Sequence, residues 1–275
     1  METLIIERLN GVRQDINEIR GARLLEVIDN GPQPETQYEQ MEGLDGSIEN
    51  GTTFRPRTIT VRFWFKGIDI LDYTLAQREI WKFLFSYEPY YIAWTRLPGL
   101  RYLVQCTPFT DTRLNPMTGT YEVDFVAFTG FAESVGRTDI HPINMDSEIW
   151  QMVGQGLILD EDLIYSHSQS TFKIYNAGDI TINPRSHYHT LQITIKGVGK
   201  PTLKNLDTGD VFTYNKNLKS DDALILDGVY PLLNGAHCGR DTNHGLITLK
   251  PGWNQIQLSG IANPRTIFGF RFLYK

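Results

Sequence analysis

Cysteine is nearly absent from this sequence: Cys106 and Cys238 are the only two among 275 residues. They fall in different halves of the chain, so no disulfide framework is built from them, and both read as small core side chains. No apolar run is long enough to span a bilayer. Met1-Glu2-Thr3 lacks the basic start of a secretory leader. The expectation is a chain made in a cytoplasm and not held by a membrane. Positive charge is short as well. Residues 1–140 hold 14 Lys+Arg against 20 Asp+Glu, while residues 141–275 hold 12 of each. Nucleic-acid recognition needs clustered cations to neutralise phosphates, so the acidic first half argues against specific binding. No period repeats along the chain, which excludes a solenoid.

Catalytic signatures are missing in the same way. Gly197-Val198-Gly199-Lys200 lacks the spacing of a phosphate loop, and Pro201 blocks the helix start whose N–H groups would hold phosphate. His187 and His189 share one face of an extended segment, but no third ligand stands at a diagnostic spacing. His237 and His244 lie further on, near Cys238. Asp160-Glu161-Asp162 lacks the alternating oxygens and glycine of a calcium loop. No serine occupies a nucleophile elbow, and Cys238 sits in no nucleophile motif. Asp221, Asp222, Asp227 and Asp241 read as turn residues whose carboxylates hold nearby backbone N–H groups. The expectation is no catalysis, no metal and no cofactor.

What the sequence does have is pattern. Ile59, Val61, Phe63 and Phe65 alternate with Thr60, Arg62, Trp64 and Lys66, the period of a strand with one face in a core. Trp64 interrupts the polar face. A large aromatic among charges points to a face covered by a partner or by a loop of the same domain, and the sequence leaves both open. Past Gly67 the period lengthens. Thr74 with Gln77 forms a capping box, Ala76, Ile80, Phe83, Leu84 and Tyr87 share a helical face, and Pro89 ends the run. Residues 1–30 suggest strands or an opening hairpin, 31–40 a loop carrying Pro32 and Pro34, and 41–51 a turn-rich loop able to reach a neighbouring subunit. Leu100–Cys106 and Tyr121–Ala127 alternate as an antiparallel pair joined by a loop over Thr110–Gly119.

The second half is strand-rich throughout. After a short helix predicted over Ser147–Val153, strands are predicted at Thr171–Tyr175, Ile180–Asn183, Leu191–Ile195, Val211–Tyr214, Ala223–Leu226, Leu246–Leu249, Gln255–Leu258 and Thr266–Tyr274. Gly-, Asn- and Asp-rich separators lie between them, among them Gly197-Val198-Gly199 and Asn234-Gly235. That spacing implies a β-sandwich or jelly roll. The fold class is therefore mainly β. An α+β, split-barrel-like domain with one packed helix spans 1–135, a connecting segment 136–168, and a β-sandwich 169–275.

Asp45-Gly46, Gly51, Phe54-Arg55-Pro56-Arg57, the alternating strand, Lys66-Gly67, and Asp72-Tyr73 before a helix with Trp81 and Phe85 carry a resemblance. Their order and spacing resemble the N-terminal domain of the distal tail protein family of long-tailed, non-contractile phages (siphophages) of Gram-positive bacteria. Tyr175-Asn176-Ala177-Gly178-Asp179 and Pro251-Gly252-Trp253-Asn254 are similar to that family's second domain, a sandwich like galectins and carbohydrate-binding modules. The resemblance implies a structural protein of the virion tail tip or baseplate that forms a six-fold ring with copies of itself. Such a ring lets DNA pass and joins the tail tube protein and tape measure protein to a tail-associated lysin, fibre or receptor-binding protein. Within it, Arg57, Arg62 and Trp64 are the candidate oligomer contacts. The alternative is a carbohydrate-binding adhesion module for host wall glycans, with Arg185 and Trp253 as its contacts. Thr181-Ile182-Asn183-Pro184-Arg185 resembles the sugar-contacting strand of galectins, except that Thr181 stands where they have histidine.

Overall fold

The alternation around Trp64 does build a long central strand, and the first half of the chain is laid against it. The computed structural model describes residues 2–43, 45–143, 149–150, 154, 156–157 and 163–275. The chain divides into two units, Met1–Ala132 with Lys275, and Glu133–Tyr274. The first holds β1 (Leu4–Glu7), β2 (Arg13–Asp15), β3 (Ala22–Asp29), β4 (Gln33–Glu39), β5 (Ile48–Arg55), β6 (Arg57–Lys66), helix α1 (Ile70–Leu84), β7 (Tyr90–Trp94), β8 (Leu100–Cys106), β9 (Asp111–Asn115) and β10 (Thr118–Ala127). Its sheet runs β2-β1-β7-β8-β10-β6-β3, with β9 also on β10. The two ends of that path do not pair, so the split barrel is an open sheet and no barrel closes.

Ile59, Val61, Phe63 and Phe65 are all fully buried, as their period requires. Phe63 stacks on Tyr121 of β10, with ring centroids 5.2 Å apart, and Phe65 meets Tyr73 of α1 at 5.1 Å. Removing each such side chain from water contributes roughly 1.5–3 kcal/mol, so this layer anchors the unit. β10 pairs with β6 along its whole length. It touches β8 only through Phe125–Cys106 and Val126–Gln105. The loop predicted over Thr110–Gly119 contains β9, which folds back on β10.

The helix begins four residues ahead of its predicted cap. Asp69 is the cap, accepting from the Asp72 N–H at 2.7 Å, while the Asp72 carboxylate accepts from the Ile68 N–H at 2.7 Å. Aspartate outranks threonine as a cap, and two acids at a helix N-terminus suit its dipole. Thr74 therefore lies inside the helix and donates to the Ile70 carbonyl, and Gln77 turns to Asp111. Gly67 permits the tight entry, since a Cβ there would lie 2.6 Å from the Tyr73 nitrogen. Ala76, Ile80, Phe83 and Leu84 are buried as predicted, joined by Tyr73. Tyr87 is not: the chain turns extended at Phe85, ahead of Pro89, and leaves Tyr87 fully exposed.

Residues 33–39, predicted as loop, are strand β4, which pairs with β5 in a separate two-stranded sheet. Pro34 is tolerated because such a ribbon has two free edges, where a missing N–H costs nothing.

The second unit holds, from β11 (Ala132–Ser134) at its boundary, β12 (Ser166–His167), β13 (Thr171–Asn176), β14 (Leu191–Asn205), β15 (Val211–Thr213), β16 (Leu224–Asp227), β17 (Tyr230–Leu233), β18 (Ala236–His237), β19 (Gly252–Phe270) and β20 (Leu273–Tyr274). Its sheet runs β12-β19-β14-β16-β17-β18, with β13 also on β19 and β15 on β14. Ile193, Ile195, Leu203, Leu258, Phe268 and Phe270 fill its core. Two strands are much longer than predicted, because Gly197 and Gly199 make bulges and not turns. The β14–β19 register shifts at Lys196/Val198 and again at Gly199/Thr202. Ile180–Asn183 and Leu246–Leu249 form no strands and meet through one bridge, Ile182–Leu249. Residues 134–138 run along the end of the chain: the Ser134 N–H donates to the Phe272 carbonyl and the Thr138 N–H to the Phe270 carbonyl. Most of the predicted helix over Ser147–Val153, and all of Asp160–Asp162, lie outside the described residues. Trp150 is buried against Phe272, with centroids 5.4 Å apart.

Candidate functional site

The solvent face of β6 carries Thr60, Arg62 and Trp64. Arg62 donates from Nε to Glu122 at 2.7 Å and reaches Glu26 at 3.3 Å, while Thr60 donates to Asp124 at 2.6 Å. These ties run across three adjacent strands and stay exposed, so they fix register more than they stabilise. Trp64 stands in register between Arg23 of β3 and Thr120 of β10 and is half-buried.

Arg57 lies elsewhere. Two residues before Ile59, it shares the inward face of β6 and is 1% exposed. Its guanidinium sits 4.6 Å over the Tyr102 ring and 3.5 Å from the Asp29 carboxylate, to which the Tyr102 hydroxyl also donates. The other guanidinium nitrogens, Nε and one Nη, find no partner among the described residues. The geometry makes Arg57 an internal strut, and the candidate contact on this strand reduces to Arg62 and Trp64.

Two further bare surfaces lie in the first unit, and strand alternation gave no sign of them. On the β4–β5 hairpin every residue of β5 is exposed, and Tyr38, Met41, Ile48 and Phe54 hold their side chains in water. On α1 the outward side carries Ile70, Leu71, Leu75 and Trp81, exposed between 41% and 67%. A sequence signal existed for the second: apolar residues at 70, 71 and 75 are out of phase with the buried set.

In the second unit, Trp253 of β19 leans on Tyr175 at 4.9 Å, with the Lys173 ammonium 5.9 Å from its ring. It lines an open groove with Ser166, His167, Gln169 and Phe172. His167 stacks on Phe172 at 4.3 Å, and burial holds its pKa below the usual imidazole value. Arg185 is not part of that groove. It sits in a turn where its N–H is accepted by the Asn183 side chain, and the Asn183 N–H is accepted by His189 Nδ1 at 3.1 Å. Burial depresses the His189 pKa, in keeping with an unprotonated acceptor nitrogen.

A cavity of about 60 Å³ in the second unit is walled by Leu191, Ile193, Phe212, Leu226 and Ile247, with Thr242 and His244 among its lining. Burial pushes the Cys106 thiol up to about 12 and raises Cys238 too, so neither presents a thiolate near neutral pH. Among the described residues no group of three His, Cys, Asp or Glu is placed to hold a metal.

Residues 14–127 match the family described as phage tail protein RIFT-related domain. Over the whole chain the fold is similar to that of the SPP1 Dit protein, described as a paradigm of the hub adsorption apparatus in phages infecting Gram-positive bacteria. The TM-score is 0.71 at 12% identity, covering 99% of both chains. A chain of the phage P2 baseplate in its activated conformation with calcium aligns at a TM-score of 0.48 and 11% identity, covering 99% of this chain and 98% of that one. A search of curated proteins finds no match. Residues 14–127 thus match a phage tail domain, and the chain as a whole has a fold like that of the SPP1 Dit protein.

Proposed function

We propose that this chain, with its match to a phage tail domain and a fold like that of the SPP1 Dit protein, is a non-catalytic building block of the tail tip or baseplate. Copies assemble into a ring, six-fold in the family it resembles. The ring joins the tail tube and tape measure proteins to a tail-associated lysin, fibre or receptor-binding protein. The observation that carries this reading is the β4–β5 hairpin. An isolated two-stranded ribbon is marginal in water, and this one holds four large apolar side chains away from its own core. Such a ribbon is completed by another subunit. The acidic first unit suits a channel through which DNA slides without sticking. Arg62 and Trp64 are the proposed contacts on the sheet face. In this reading residues 1–135 form the ring, 136–168 connect, and 169–275 project outward. Size-exclusion chromatography with light scattering and negative-stain microscopy test it: rings are expected, and a strict monomer at tens of micromolar would overturn it.

A second reading, a module binding wall saccharides, is favoured by one observation: the groove at Trp253 offers an aromatic face beside hydroxyl, amide and ammonium donors. Trp253→Ala is expected to abolish binding to purified wall polysaccharide. Wild-type protein that binds no glycan would end this reading.

A further inference from the structure

We infer that the bare half of the second unit's sheet face binds an anionic glycan, a sugar chain bearing phosphate or carboxylate groups. The inference rests on the saccharide reading above and names the class of its ligand. Strands β13, β14, β15 and β19 carry Lys173, Lys196, Lys200, Lys204 and Arg265, and no aspartate or glutamate. In a chain of net charge −6 this is a local reversal of sign. None of the five cations makes an ion pair among the described residues, whereas Lys216 and Lys250 do, with Asp241 and Asp207.

One half of the face is already covered. Arg137 donates to the Gln192 side chain at 3.0 Å and pairs with Asp139, whose carboxylate a Cβ on Gly269 would meet. The other half, over β13, β15, the start of β19 and the end of β14, stands open. Its outward side chains include Lys173, Gln255, Gln257, Ser259, Thr202 and Lys204, because Phe172, Ile256, Leu258 and Leu203 alternate with them into the core.

Lys173 stands in register with Gln255, and Lys204 with Gln257. The two lysines are thus two strand spacings and two residues apart, about 12 Å. Between them lie two amides with no side-chain partner among the described residues, since Gln255 spends only its backbone N–H, on Asp207. An amide both donates and accepts, which matches the hydroxyls of a sugar. Trp253, with the Lys173 ammonium 5.9 Å from its ring, offers an apolar plate at the edge of the face. Asp207, which feels the Lys173 charge, is engaged, accepting from Lys250 Nζ at 2.8 Å and from the Gln255 N–H at 2.6 Å. Nucleic acid fits less well: it needs a succession of aromatics for its bases, and the acidic first half of the chain repels it.

Binding of purified Gram-positive wall polysaccharide to the full-length chain tests this, by biolayer interferometry. The polymer is used as isolated, after hydrofluoric acid removes its phosphodiesters, and after its carboxyl groups are reduced. One of the two treatments is expected to weaken binding at least about tenfold, and Lys173→Gln with Lys204→Gln to do the same for the untreated polymer, the scale of lost charge-assisted hydrogen bonds. The melting temperature is expected to stay unchanged. Lys66→Gln with Lys82→Gln, an equal loss of charge in the first unit, is expected to leave binding as it was. Binding indifferent to both treatments, or to the Lys173/Lys204 change, overturns the inference and leaves the saccharide reading standing. Equally strong binding of polyglutamate or single-stranded DNA makes the face a general polyanion surface, and the inference falls. If wild type binds no form of the polysaccharide, the saccharide reading ends and this inference ends with it.

Discussion

The guanidinium of Arg57 lies 4.6 Å from the centre of the Tyr102 ring, and both side chains converge on the Asp29 carboxylate. The contact joins β3, β6 and β8 at one end of the sheet, where a buried cation is held by a ring face and one carboxylate. Truncating it leaves a cavity and an acid short of its partner. Arg57→Ala is expected to cost roughly 3 kcal/mol of unfolding free energy. Denaturant titration at concentrations too low for assembly checks it, because an interface residue would show no loss there.

The helix cap gives a paired test. Asp69→Ala removes the acceptor for the Asp72 N–H and is expected to destabilise the first unit by about 1 kcal/mol. Thr74→Ala, which removes only a bond to the Ile70 carbonyl, is expected to change stability by less than about 0.5 kcal/mol. Reversed magnitudes in urea unfolding would put the helix start back at Thr74.

Acid is expected to loosen the second unit. Burial lowers the pKa of His189 and His167 below the ordinary imidazole value of 6.5, so the unfolded chain takes up their protons first as pH falls. Stability from these two rings is intact above about 6.5 and declines below it, because the protonated form favours the unfolded state. At His189 protonation of Nδ1 also removes the acceptor of the Asn183 N–H. Melting temperature followed from pH 8 to 5 checks the slope, and His189→Gln is expected to flatten it.

The bulge glycines are expected to tolerate nothing larger. At Gly199, with φ at 133°, a Cβ would meet the Gly260 carbonyl oxygen at 2.3 Å. Gly209, with φ at 78°, has open space around it. Gly199→Ala is therefore expected to cost at least about 2 kcal/mol and Gly209→Ala about 1 kcal/mol, the backbone strain alone. Thermal unfolding of the two variants separates a clash from a conformational penalty.

Residues whose fate is set by local period were legible in the sequence. Phe63 and Phe65 announce a buried strand face, and Ile80 and Leu84 a helix packed on it. Residues whose fate is set by what lies across from them were not. Arg57 stands in phase with Ile59 and Val61, and the same alternation that buried them buried it. Its charge suggested a surface because Tyr102 and Asp29, its partners, arrive from distant strands. Gly197 and Gly199 suggested a turn because a glycine pair marks a chain reversal as readily as a bulge; only β19 running alongside decides. Residues 33–39 suggested a loop because Pro32 and Pro34 dominate any local reading, whereas a free-edged ribbon has no use for the missing N–H. The sheet-face candidates Arg62 and Trp64 follow from period, whereas Ile70, Leu71 and Leu75, out of phase with the buried stripe of α1, carry no periodic signal of their own.

The inertness of the two thiols has a practical consequence. Burial pushes the Cys106 thiol up to about 12 and raises Cys238 too, so maleimides and disulfide crosslinkers at neutral pH find little native thiolate to attack. A cysteine introduced at an exposed position such as Tyr38 is then the faster-reacting handle, without first stripping the wild-type background.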